Sequence, residues 1–346
     1  MIVPAKSPQA QKANEVVIGL QSYFVSKLNR FASQFGEGKE CEPISWKRDG
    51  GKHGGGTRYE ARDVEVFDRG SVNISQVHYD DDETKNLSSA TAISTIIHPK
   101  NPHLPSMHMH ISWTQMRDGQ GYWRVMADLN PSLVSESEDA KEQFDAMLLA
   151  STGEHYEEGI AQGDRYFYIP VLGRHRGVKH FYLEGYHSGD FDADSAYVTQ
   201  VGESVVDAYI DIITAKREAY ATYSAQEREA QLAYHTLYLF QVLTLDRGTT
   251  SGLLIHDQND VGIMGSIPSH VNRDLLESWI AKMPSPQELL VKALLEALPN
   301  ELPTPVEEET KKRLAQAVRE HYAKYPEALD MQASGETIPP TVENHR

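Results

Sequence analysis

Cysteine is almost missing from this sequence: Cys41 is the only one in 346 residues. A single thiol forms no internal disulfide and cannot supply a multi-cysteine zinc or iron–sulfur site. Basic charge is scarce as well. Lys and Arg number 33 against 50 Asp and Glu, a formal charge of −17. That balance argues against wrapping nucleic acid or lying on an anionic membrane, both of which need a basic face. Long apolar runs are also lacking. No stretch approaches the ~18 uninterrupted apolar residues of a membrane span, and the opening MIVPAKSPQAQKANE has no apolar core of signal-peptide length. The expectation is a soluble, acidic, cytoplasmic globular protein, with a chain long enough for one big domain or two ordinary ones.

Periodicity organises what is present. Val17, Leu20, Phe24, Leu28, Phe31 and Phe35 recur at steps of three and four, which predicts an amphipathic helix ending at Gly36. The glycine-dense ISWKRDGGKHGGGTRYE allows tight turns but no continuous element. From Val64 to Val77 the pattern is β-rich, with Phe67, Val72, Ile74 and Val77 inward, and Asp80 to Glu83 reads as a solvated loop. TAISTIIHP and MHMHISW read as strands, Ala140–Ser151 as a helix, and RYFYIPVL and KHFYLEGY as strands again. The longest helical stretch runs from about Asp194 to Tyr234. LYLFQVLTLDRGTTSGLLIH then reads as two strands joined at Asp246–Gly248. Helices broken by Pro284, Pro286, Pro299, Pro303 and Pro305 follow, with a loose tail after Tyr325. The fold class expected is α+β, a mostly antiparallel sheet flanked by long helices, because hairpin-like strand pairs outnumber βαβ units.

Chemistry concentrates in ISTIIHPKNPHLPSMHMHISW. Prolines 99, 102 and 105 pin the backbone between two strands. His98 closes the first strand and His108 opens the second; His108 and His110 share a face because strand side chains alternate. Clustered imidazoles serve as acid–base groups near neutral pH or as metal ligands. The bland alternative is that they cap strands and bond loop carbonyls.

These residues resemble the oxygen-dependent coproporphyrinogen III oxidases, which carry a strand ending in serine, three residues and HPxNPxxPTxHxNxR. Here stand Ser94, His98-Pro99-Lys100-Asn101-Pro102, Pro105-Ser106, His108, His110 and Ser112. Further likenesses follow in the family's order: Trp46, Lys47 and Arg48 with Gly54-Gly55-Gly56 and Arg58; Val72, Asn73, Ser75 and Val77; Asp128-Leu129-Asn130-Pro131; Asp207-Ala208-Tyr209, Ile212 and Arg217; and Asp246-Arg247-Gly248-Thr249, Gly252 and Leu253. The series covers roughly residues 15–285. The resemblance implies a broad antiparallel sheet with helices on both faces, as one unit over residues 1–290, with 291–346 as a helical extension and loose tail. It also implies a homodimer, oxygen as co-substrate, no organic cofactor, and a substrate with four carboxylates, two of which are lost as propionates become vinyl groups. The apolar stretch LYLFQVLTLDRGTTSGLLIH suits a buried strand or a dimer contact.

By the same resemblance His108 is the proton-transfer residue and Glu184 the carboxylate facing the macrocycle. Ser94, Arg58, His110, Ser112, Arg176 and Gln258 are the substrate contacts. The departures are pointed. An arginine expected at 112 is serine, the asparagine expected at 110 is histidine, and a Gly-Gly-Arg stretch falls on His256-Asp257-Gln258. Three readings follow: a divergent coproporphyrinogen oxidase; the same fold turned to another carboxylated substrate, with His98, His108, His110 and Glu184 as candidate ligands of iron or manganese; or a non-catalytic tetrapyrrole binder.

Overall fold

The computed structural model describes residues 1–256 and 259–335. Helix α1 (Pro8–Phe35) begins where the Ser7 hydroxyl accepts from the Ala10 N–H, with Pro8 at its first turn. It ends at Gly36, whose N–H returns to the Ala32 carbonyl. Val17, Leu20, Phe24, Leu28 and Phe31 form its buried stripe.

Six strands follow in a continuous meander: β1 (Glu42–Lys47), β2 (Gly54–Glu60), β3 (Phe67–His78), β4 (Leu87–Pro99), β5 (Ser106–Met116) and β6 (Gly121–Asn130). Helices α2 (Glu138–Thr152) and α3 (Tyr156–Phe167) come next, then a small ribbon of β7 (Tyr168–Ile169) and β8 (Arg174–His175). Strand β9 (Lys179–Tyr186) joins β6 to complete a seven-stranded antiparallel sheet. The α+β architecture with a large antiparallel sheet is as expected. Gly54 fits its strand because its φ is 93° and a Cβ there would meet the Gln76 carbonyl at 2.0 Å.

The sheet has two chemically distinct faces, set by its register. One carries rows such as Ile74, Ile93, Ile111, Val125 and Leu183. It packs on α1, α2 and α4 (Phe191–Ala219) in a core that includes Phe24, Phe144, Val205 and Tyr209. The other face carries polar rows. Asn73, Ser94, His110, Met126 and Tyr182 lie side by side, flanked by Ser71, Ile96, His108, Asp128 and His180, and by Ser75, Ala92, Ser112, Arg124 and Glu184. A second helical layer covers this face: α5 (Ala225–Thr244), α6 (Arg247–Ile255), α7 (Asp260–Ile263), α8 (Arg273–Glu277), α9 (Gln287–Ala297) and α10 (Glu308–Lys324). No helix among the described residues is long and apolar enough to cross a membrane.

Five expectations change, the first being that the glycine-dense 44–60 stretch, expected to hold no continuous element, supplies most of β1 and all of β2. The apolar 237–256 stretch is helical, not a hairpin: α5 and α6 meet at Leu245–Asp246, and Asp246 caps α6 by accepting from the Thr249 N–H. Leu237 through Thr244 are all buried, and a run buried on every side has no periodicity to separate helix from strand. Its apolar character is therefore spent inside the chain's own core. The helical stretch from Asp194 breaks after Ala219, and α5 restarts with a Ser224–Glu227 capping box. In RYFYIPVL, Arg165–Phe167 end α3 and only two residues are strand. Residues 326–335 also pack against the body: Gln332 donates to the Thr250 hydroxyl and Gly335 N–H to Glu184.

Phe24 is fully buried and stands edge-on to Tyr209 at 6.3 Å. Phe24→Ala should destabilise the chain by about 3–5 kcal/mol, read as a lowered urea midpoint at unchanged slope.

Candidate active site

Between the polar face and the α5–α6 layer lies a cavity of about 300 Å³, at the small end of the range for ligand pockets. Its base is organised by Asp128, which is fully buried. One oxygen accepts from His108 Nδ1 at 2.8 Å; the other accepts from Arg176 Nη2 at 2.8 Å and Asn130 Nδ2 at 2.6 Å. Burial works against the carboxylate's charge, but Arg176 and then His108 outweigh it and hold the carboxyl at about 2. The Arg176 guanidinium is itself sandwiched by Phe167 at 4.7 Å and Tyr238 at 4.9 Å. With Nδ1 committed to Asp128, His108 has its Nε2 left for a ligand, on a ring that lines the cavity.

His110 stands two residues along the same face. Burial, then the neighbouring His108 and Arg124, push its pKa down to about 3, so it is a neutral hydrogen-bonding group at neutral pH. Ser94 and Ser112 complete this wall, and Arg124, Tyr166, Asp246 and Arg247 add charge and a hydroxyl to the lining. The described lining residues include three arginines (124, 176 and 247) and one carboxylate, Asp246. Ser112 Oγ, Arg176 Nε and Arg247 Nη1 are buried without a protein partner, as befits a wall built to meet a polar ligand.

The sequence-derived site residues therefore separate. Ser94, His108, His110, Ser112 and Arg176 share the cavity. Glu184 lies on the same sheet face but does not line the cavity. Its carboxylate accepts from Tyr182 Oη at 2.8 Å, from the Gly335 N–H at 3.0 Å and from Arg247. In this structure it holds Arg247. Arg58 is buried against Glu60, to which its Nε and Nη2 donate at 2.7 Å, and is likewise absent from the lining. Gln258 lies outside the described residues. The proposed metal set is not assembled. His98 is fully buried, its Nδ1 at 2.8 Å from Ser106 Oγ and its Nε2 at 3.1 Å from the Ser266 carbonyl, so both ring nitrogens are engaged. Among the described residues the His–carboxylate cluster with ligand-like spacing is His103, Glu136 and Glu227, none of which lines the cavity. There the imidazole joins Glu136 through Nδ1 and Glu227 through Nε2, the geometry of two ion pairs across one ring.

Sequence reasoning assigned no site role to Asp128, Arg124, Asp246 or Arg247. A signal existed for the first two: Tyr122, Arg124, Met126 and Asp128 alternate along one strand, so the two charges had to share a face. For Asp246 the signal was a helix-capping aspartate three residues before a threonine.

The coproporphyrinogen III oxidase family profile matches residues 12–297. The chain belongs to that family. The oxygen-dependent coproporphyrinogen-III oxidases of Rickettsia bellii and Rickettsia akari are 27% and 28% identical to it over 271 residues, which is 73% of this chain and 94% of theirs. The family region thus holds the whole sheet and the α5–α6 wall, and the segment beyond residue 297 adds α10 and the stretch that reaches Glu184.

Because the folded His110 refuses a proton down to a pH of about 3 whereas an unfolded histidine takes one near 6.5, stability must fall as pH drops below about 6.5. His110→Gln should flatten the fall of the urea midpoint between pH 6.5 and 4. Asp128, held at about 2 from an ordinary 3.8, likewise takes its proton less readily in the folded state. Its stabilisation is complete above pH 4 and lost as pH falls toward 2.

Proposed function

We propose that this chain is an oxygen-dependent oxidative decarboxylase of a porphyrinogen carrying propionate side chains, as the names of its relatives state for those proteins. The observation that carries the reading is the shared cavity: an Asp128-oriented imidazole and three arginines face one space with a single described carboxylate. Guanidinium groups are the donors that match carboxylates bidentately. A chain with a formal charge of −17 thus still gathers guanidinium donors in one recess for an anionic ligand.

Each turnover balances as propionate plus oxygen plus one proton giving vinyl, carbon dioxide and hydrogen peroxide. A hydride equivalent leaves the propionate β-carbon for oxygen, and the carboxylate leaves as carbon dioxide. The protein's tasks are to fix the carboxylates, exclude water and handle the proton. Arg247, steadied by Glu184, offers an Nη1 with no protein partner to a carboxylate. His108 Nε2 exchanges the proton, with Asp128 stabilising the imidazolium as it forms. A homodimer belongs to this proposal and rests on the family resemblance, since the apolar stretch that suggested a contact is consumed by the chain's own core.

The volume of about 300 Å³ favours, as a second reading, a smaller carboxylated substrate in the same recess. Coproporphyrinogen III added anaerobically, followed by oxygen and chromatography of the products, separates the two. Tri- and dicarboxylate products are expected, and their absence alongside oxygen uptake on a smaller carboxylate would favour the second. His108→Gln should lower kcat by about 10²–10⁴-fold, whereas Arg247→Ala should act mainly by raising KM.

A further inference from the structure

The three cavity arginines are not equivalent. Arg176 is neutralised by Asp128 at 2.8 Å, and Arg247 by Glu184. Arg124 has no carboxylate partner among the described residues. Its contacts are to Tyr122, whose hydroxyl accepts from Nη2 at 3.0 Å and whose ring lies 5.1 Å from the guanidinium carbon. The acidic residue beside it in the sheet, Glu184, is its register partner on β9, but that carboxylate is taken by Arg247, Tyr182 and Gly335. Arg124 therefore brings a net positive charge to the cavity wall, and its field helps keep His110 neutral.

The β6–β9 register slips between Trp123 and Arg124, and Gly185 of β9, with a φ of 135°, is the extra residue opposite the slip. The bulge bends β9 beside Arg124, and such bulges are common beside active sites. On its other flank Arg124 is the direct register partner of Ser112, whose buried hydroxyl lacks a protein partner. Ser112 is also the position at which the family resemblance places an arginine. Cross-strand partners have Cβ atoms about 5 Å apart, so a guanidinium on β6 reaches the space that one on β5 would fill.

We propose that Arg124, together with the Ser112 hydroxyl, is the binding site for one substrate carboxylate, a specificity-determining pair that moves the cationic anchor from β5 to the neighbouring strand β6. This assignment rests on the proposed function, since it names the anionic group of that substrate. The pair binds a carboxylate over the sheet face that β5 and β6 present to the cavity, with the guanidinium supplying charge and the hydroxyl a second donor.

The test uses the full chain and coproporphyrin III, the stable oxidised form of the proposed substrate, with binding read by quenching of tryptophan fluorescence. Arg124→Ala should weaken binding about 10- to 100-fold, and Arg124→Lys, which keeps charge but not the planar fork, should lose less. The decisive arm is Ser112→Arg in the Arg124→Ala background, which should restore affinity to within a few-fold of wild type. A merely structural role for Arg124 through Tyr122 would not be rescued from another strand. In turnover of coproporphyrinogen III the change should appear in KM with kcat nearly constant. Wild-type binding with an unaffected Arg124→Ala variant overturns this assignment alone, as does failure of the swap in a variant that unfolds at the wild-type temperature. A wild-type chain that does not bind coproporphyrin III overturns the functional reading and the assignment with it.

Discussion

The buried carboxylate of Asp128 is the constraint on which the site depends. It is fully enclosed at the floor of the cavity and accepts from an imidazole, a guanidinium and an amide. A carboxylate in that position is tolerable only because Arg176 neutralises it. Removing either partner would leave an isolated buried charge, at a cost of about 3–5 kcal/mol. The same bonds tie three parts of the fold together: β5 through His108, β6 through Asp128 itself, and the segment before β9 through Arg176. Stability and imidazole orientation thus come from one network, and neither can be adjusted without the other.

A two-faced sheet makes that network possible. Strand alternation sends Ile, Val and Leu toward α1, α2 and α4 and sends Ser, His, Asp and Arg toward α5 and α6. The apolar face supplies the driving force for folding. The polar face would be costly to bury by itself, and α5 and α6 close over it while leaving the recess. Each guanidinium there is handled differently: Arg176 is neutralised on the floor, Arg247 is steadied from the side by Glu184, and Arg124 has no carboxylate partner among the described residues. The segment past the family region contributes to this, since the Gly335 N–H completes the hydrogen bonding of Glu184.

The acidic total charge and the arginine-lined recess are compatible for a simple reason. Net charge sums over the solvated surface, where charges are screened within about 10 Å. A recess of low local dielectric responds instead to the few charges that line it. What a ligand in the recess meets is the pairing of its three arginines, of which Arg124 has no carboxylate partner among the described residues, rather than the 50 acidic side chains of the whole sequence.

The sequence by itself determined the α+β class, the first helix, the strands β3, β4, β5 and β9, and the family, while β1, β2 and β6 lay in stretches it read as turns or linker. Each of these is written in local periodicity or in ordered motifs, and His108 and His110 could be placed on one face by alternation alone. It misread 237–256 because a helix buried on all sides shows no period. It placed His98, Glu184 and Arg58 by motif position, and a motif position says nothing about which partner satisfies a side chain. Only the tertiary structure decided that His98 is spent on Ser106 and Ser266, that Glu184 serves Arg247, and that Arg58 serves Glu60. It also decided that Arg124 stands beside Ser112, an adjacency across a strand register that the eleven residues of intervening sequence do not reveal. Ion pairing is a matter of a few ångströms in space, and register sets those distances here.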